Sequence, residues 1–103
     1  MLTLLIAEIV SLASYERQTA TLMTEHEKDS MEFFIANAPA AHPLLPGTGR
    51  FREARWARPG GGKSGGFRVI DYFLSGPGRV YMASVYKKSR KGNLSGEEKH
   101  LLA

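Results

Sequence analysis

The residues with the most chemical potential are basic, and they gather in the second half of the chain: Arg55, Arg58, Lys63, Arg68, Lys87, Lys88, Arg90 and Lys91, with Tyr86 among them. Between Arg50 and Lys91 there are eleven basic residues and only two acidic ones, Glu53 and Asp71. So dense a set of like charges repels itself and is costly without an anionic partner. Arginine and lysine match phosphate oxygens in charge and geometry. RNA brings its own nucleophile, the 2′-hydroxyl, so cleavage needs a proton acceptor, charge stabilisation at the phosphate and a proton donor for the leaving oxygen. Arg and Lys supply the second. A Lys or Tyr supplies the first or third when neighbouring positive charge lowers its pKa. The aromatics Trp56, Phe67, Tyr72, Tyr81 and Tyr86 interleave with these charges. They can stack on unpaired bases, although strands favour aromatic residues for packing as well.

A competing motif lies in the same stretch. Ala57 to Ser64 ends in Gly62-Lys63-Ser64, a relaxed version of a nucleotide phosphate loop. Such a loop works only between a strand and a helix, whose N-terminus and backbone N–H groups hold the phosphates. Gly65 and Gly66 oppose a helix, and Phe67 to Leu74 has strand composition. No nucleotide cofactor is therefore expected, and none of any other kind. His26, His42 and His100 are scattered over a helix, a Pro-rich connection and the last helix, a poor metal set. With no cysteine, disulfides, thiol nucleophiles and cysteine zinc sites are excluded.

Those residues must be positioned by a small domain. The 103 residues contain 43% hydrophobic and 23% charged side chains, the balance of a folded soluble domain. Residues 1–49 hold two basic and six acidic residues, net −4; residues 50–103 hold twelve and four, net +8. The apolar start, Leu2 to Val10, is interrupted by Glu8 and is too short to span a bilayer. It lacks the features of a secretory signal and reads as a buried strand, which points to a cytoplasmic protein without a membrane partner.

Ser14 to Met23 places Tyr15, Thr19 and Leu22 at helical spacing. Thr24 and Glu27 fit a capping box for a second helix with Met31, Phe34, Ile35 and Ala38 on one stripe, stopped by Asn37 and Pro39. A Pro- and Gly-containing connection, Ala38 to Gly49, follows. From Phe51 the period becomes two, giving strands over Phe51–Ala57, Phe67–Leu74 and Arg79–Lys88, joined by the glycine-rich loop and the turn Ser75-Gly-Pro-Gly78. Ser95 and Glu98 cap a short last helix. The expected fold is α+β: a small antiparallel sheet, made of the first strand and a three-strand meander, with two N-terminal helices on one face, a short C-terminal helix, and the other face free to bind. In a meander the start of the second strand and the end of the third meet at one sheet end, which gathers the basic residues there.

The segments Pro46-Gly-Thr-Gly49, Phe51-Arg-Glu-Ala-Arg-Trp-Ala57, Gly62-Lys-Ser-Gly-Gly-Phe-Arg-Val-Ile70 and Val85-Tyr-Lys-Lys-Ser89 resemble a RelE/HigB-type toxin of a bacterial toxin–antitoxin pair. The resemblance implies one toxin domain over residues 1–103. It further implies a ribosome-dependent mRNA endoribonuclease that cuts mRNA in the ribosomal A site and leaves a cyclic phosphate. The implied partners are a cognate antitoxin and the ribosome with bound mRNA. By the same resemblance Arg55, Arg68, Tyr86, Lys88 and Lys63 are the catalytic set; the charge pattern adds Arg52, Arg58, Lys87, Arg90 and Lys91 as flanking RNA contacts.

The sequence also departs from the family pattern. Glu53 stands where a lysine is usual, Ser64 where an arginine is usual, Gly49-Arg50 replaces Gly-Gly, and Gly92-Asn93-Leu94 replaces an acidic residue before Leu. Glu53 and Arg55 share a strand face by period two. Glu53 is thus a substitute proton acceptor, a salt-bridge partner that weakens phosphate binding, or the mark of a decayed site. The alternative from another class is a toxin of the same fold that inhibits a protein such as a topoisomerase, or a binding remnant.

Overall fold

The computed structural model describes residues 6–57 and 66–88. Their elements run β1 (Glu8–Ser11), α1 (Ala13–Leu22), α2 (Glu25–Asn37), β2 (Phe51–Trp56), β3 (Phe67–Leu74) and β4 (Arg79–Lys87). Each follows from the local chemistry. Tyr15 and Thr19 are the buried positions of α1. The Thr24 hydroxyl accepts from the Glu27 N–H and caps α2, where Met31 and Ile35 are buried. Phe34, expected on the same stripe, is 43% exposed and packs instead against His42 and Trp56, while Ala38 is exposed. The turn into β4 needs Gly78, whose φ of 71° suits glycine. The expected C-terminal helix lies outside the described residues.

The four strands form one sheet in the order β1-β4-β3-β2. The meander is antiparallel as expected, but β1 pairs with β4 in parallel, so the sheet is mixed. A parallel neighbour is possible because β1 is not linked to β4 by a hairpin; α1, α2, β2 and β3 all intervene before the chain reaches β4. Glu8 and Arg79 lie opposite each other at this junction and form an exposed ion pair at 2.8 Å.

Both helices cover one face. Tyr15, Met31 and Ile35 pack there against Ala54, Phe67, Val69, Val80, Met82 and Val85. The Tyr15 hydroxyl donates to Glu32 at 2.7 Å, and burial raises its pKa. The second face is not bare, contrary to expectation: Ile70 and Ala83 are buried with Leu45, Phe51 and Tyr86 packed around them.

Two devices hold the sheet edges. β1 stops opposite Met82, and beyond it α1 takes over the edge of β4: Ser14 donates to the Ala83 carbonyl and Gln18 accepts from the Val85 N–H, both at 2.8 Å. Along the free edge of β2, the connection supplies a strap in which Leu45 N–H donates to Phe51 O at 2.7 Å and Glu53 N–H to Pro43 O at 3.0 Å. These side chains and backbone groups satisfy polar atoms that an edge would otherwise leave open.

Asp71 is the exception to polar satisfaction. It is fully buried, lies opposite Arg52, and neither carboxylate oxygen has a hydrogen-bond partner among the described residues. Arg52 instead donates to the carbonyls of Ala40 and His42. Burial pushes the Asp71 pKa up to about 7, with Arg52 opposing the shift. The folded state therefore keeps a proton that the unfolded chain loses near pH 4. This contribution is fully present below pH 4 and is lost as pH rises to about 7. Chemical denaturation from pH 4 to 8 should show a loss of about 2–4 kcal/mol in the wild type relative to Asp71→Asn, in which that slope is absent.

Candidate nucleic-acid interface

The β2–β3–β4 register places Arg55 opposite Arg68 and Arg68 opposite Tyr86, so the three stand in a row across the sheet. One step further toward the sheet end, Trp56, Phe67 and Lys87 form the next row, which faces the helices through Phe67. Lys88 then closes the end, its N–H donating to Gly66 O at 3.1 Å. Alternation makes the Arg55–Arg68–Tyr86 row belong to the face opposite the helices. A cleft of about 160 Å³ wraps around this end and is lined by Arg55, Trp56, Gly66, Phe67, Arg68 and Lys88.

Residues separated by more than thirty positions in sequence are thus brought together: Arg55, Arg68, Tyr86 and Lys88. Arg55 and Lys88 are exposed, Tyr86 and Lys87 are half-buried, and Arg68 is 6% exposed. Arg52 is not part of the group. It shares the helix-covered face with Ala54 and Asp71 and is held by Ala40 and His42. Lys63, Arg58, Arg90 and Lys91 lie outside the described residues. The phosphate-loop alternative meets β3 immediately after Gly66, a strand where that motif needs a helix.

Glu53 occupies the face that period two assigns it, beside the row. Its Oε1 accepts from Arg68 Nη1, and both side chains are at most 9% exposed. Glu53 Oε2 and Arg68 Nε have no hydrogen-bond partner among the described residues. The contact therefore uses one atom of each group where a bidentate fork would use two. Electrostatically, the pair cancels the charge of Arg68, and among the described residues the exposed cations of this end are Arg55 and Lys88. Among the described residues no group of three or more His, Asp and Glu could hold a metal ion.

The sequence placed Glu53 on the right face; the burial of its pair with Arg68 carries no local signal, because it depends on what covers the sheet. The supporting roles of Gln18 and Ser14 also lack one, since a polar residue on a helix gives no sign of the strand edge it will meet.

Removing one member of a buried ion pair leaves the other charged and unpaired. Arg68→Ala should lower unfolding free energy by about 3–5 kcal/mol, whereas Arg55→Ala should change it by no more than about 0.5 kcal/mol. Urea titrations of the two variants check the contrast.

No family model matches the sequence. Among solved structures, the chain is similar to the E. coli toxin RelE, determined in the free state as a mutant with two arginines changed to alanine. The TM-score is 0.61 at 13% sequence identity, over 84% of this chain and 88% of that one. The four-stranded sheet and its paired helices therefore form a RelE-like fold.

Proposed function

We propose that this chain is a ribosome-dependent mRNA endoribonuclease toxin, acting in the cytoplasm on mRNA in the ribosomal A site and neutralised by a cognate antitoxin. The observation that carries the reading is the alignment of Arg55, Arg68 and Tyr86 across three strands with Lys88 beside them, on a RelE-like fold. A phosphodiester laid along the row would meet the exposed Arg55 guanidinium and Lys88 ammonium, with the Tyr86 phenol beside them and the Arg68 guanidinium behind its contact with Glu53.

The chemistry follows from those groups. The ribose 2′-oxygen attacks the adjacent phosphorus, the bond from phosphorus to the 5′-oxygen breaks, and a 2′,3′-cyclic phosphate and a 5′-hydroxyl result. One proton leaves the 2′-hydroxyl and one reaches the departing 5′-oxygen. Arg55, Arg68 and Lys88 hold the extra negative charge on the phosphate, while Tyr86, Lys63 and Glu53 are the proton-transfer candidates. The ribosome supplies the orientation of the mRNA that so small and open a cleft does not, and positioning is worth much of such a barrier.

Cleavage of a defined mRNA by purified protein should require programmed 70S ribosomes. Arg55→Ala and Lys88→Ala should each slow it by about 10²-fold without lowering thermal stability. These exposed positions are the informative variants, because Arg68→Ala mixes catalysis with folding. A folded protein that cuts no RNA on the ribosome yet still arrests growth would favour a toxin that inhibits a protein target.

A further inference from the structure

We propose that Glu53 is an internal occupant of the phosphate site: its carboxylate holds the Arg68 guanidinium in the resting protein and gives it up to an RNA phosphate, setting a threshold on RNA binding. The inference rests on the RNA-binding reading above. Arg68 is the middle member of the row, flanked in register by Arg55 and Tyr86, so it is the guanidinium a phosphate crossing the sheet would reach between them. Its Nη1 is taken by Glu53, and the pair is withdrawn from solvent.

Two features make this contact exchangeable rather than a fixed strut. Glu53 engages Arg68 through a single oxygen, leaving Glu53 Oε2 and Arg68 Nε without partners among the described residues. A phosphodiester, with two non-bridging oxygens, can use the unfilled donor as well as the filled one. The exchange is also balanced in charge, since both occupants carry one negative charge. The displaced carboxylate has Arg55 two residues away on its own strand face. Until the exchange occurs, Glu53 repels an incoming phosphate and silences Arg68. The protein then binds free RNA only weakly and favours a substrate presented at high local concentration, as on a ribosome.

The test is binding of a fluorescent single-stranded RNA oligonucleotide with 2′-O-methyl sugars throughout, which cannot be cleaved by 2′-hydroxyl attack. Glu53→Gln keeps the shape and removes the charge. It should bind about tenfold more tightly than the wild type, with a log affinity against log salt slope steeper by about 0.7. The gain should vanish in the Glu53→Gln, Arg68→Gln double variant. Equal or weaker binding by Glu53→Gln, or a gain retained in the double variant, overturns the proposal. If Glu53→Gln does not fold, the wild type decides. The Arg68 side-chain Nε–H resonance should shift on saturation with the oligonucleotide, and an unmoved resonance overturns it. Because nothing is cleaved in these measurements, failure of ribosome-dependent cleavage would sink the nuclease reading and leave this result standing.

Discussion

The hydrogen-bond register of β2, β3 and β4 governs everything the protein presents at its basic end. Side chains alternate along a strand, so a slip of one residue would carry Arg55, Arg68 and Tyr86 to the helix-covered face and bring Ala54, Val69 and Val85 into solvent. The apolar cluster under the helices makes that slip prohibitive, because Ala54, Val69 and Val85 are all almost completely buried in it. The edges reinforce the choice. Ser14 and Gln18 fix β4 where β1 ends, and the strap from Pro43 to Leu45 fixes β2. The packing of hydrophobic side chains on one face thereby sets the spacing of charged ones on the other.

The structure also changes the meaning of the positive charge. Several of the basic residues that make the second half so cationic already have partners within the chain: Arg68 is paired with the buried Glu53, Arg52 with the carbonyls of Ala40 and His42, and Arg79 with Glu8 in an exposed ion pair. The two acids of the basic stretch are both buried but on opposite faces and in opposite conditions. Glu53 has an ion-pair partner, whereas Asp71 has none among the described residues and its pKa is pushed up to about 7. A buried carboxylate is tolerated either by pairing or by keeping its proton, and this protein uses both solutions. Among the described residues at the basic end of the sheet, the exposed cations outside these contacts are Arg55 and Lys88, which line the cleft.

Much of this was legible in the sequence because it depends on periodicity. The capping of α2 by Thr24, the three meander strands and the shared face of Glu53 and Arg55 follow from residue type and spacing alone. The parallel placement of β1 was not legible, since a strand's neighbour depends on where the crossover returns the chain. Arg52 was misgrouped for a related reason: it is as basic as Arg55 and three positions away, and only the odd step between them separates the two faces. The burial of Asp71 was equally hidden, because a single acid in a strand reads as an exposed position until the connection from Ala38 is seen to hold Arg52 elsewhere.

The most direct measurement of the central claim is a backbone amide NMR titration of the wild-type protein with an uncleavable single-stranded RNA. Shifts concentrated at Arg55, Gly66 to Arg68 and Tyr86 to Lys88 are expected, with the opposite end of the sheet around Phe73 to Arg79 unchanged. Shifts centred on that opposite end or on the outer faces of α1 and α2, with the Arg55–Arg68–Tyr86 row silent, would contradict an RNA site there.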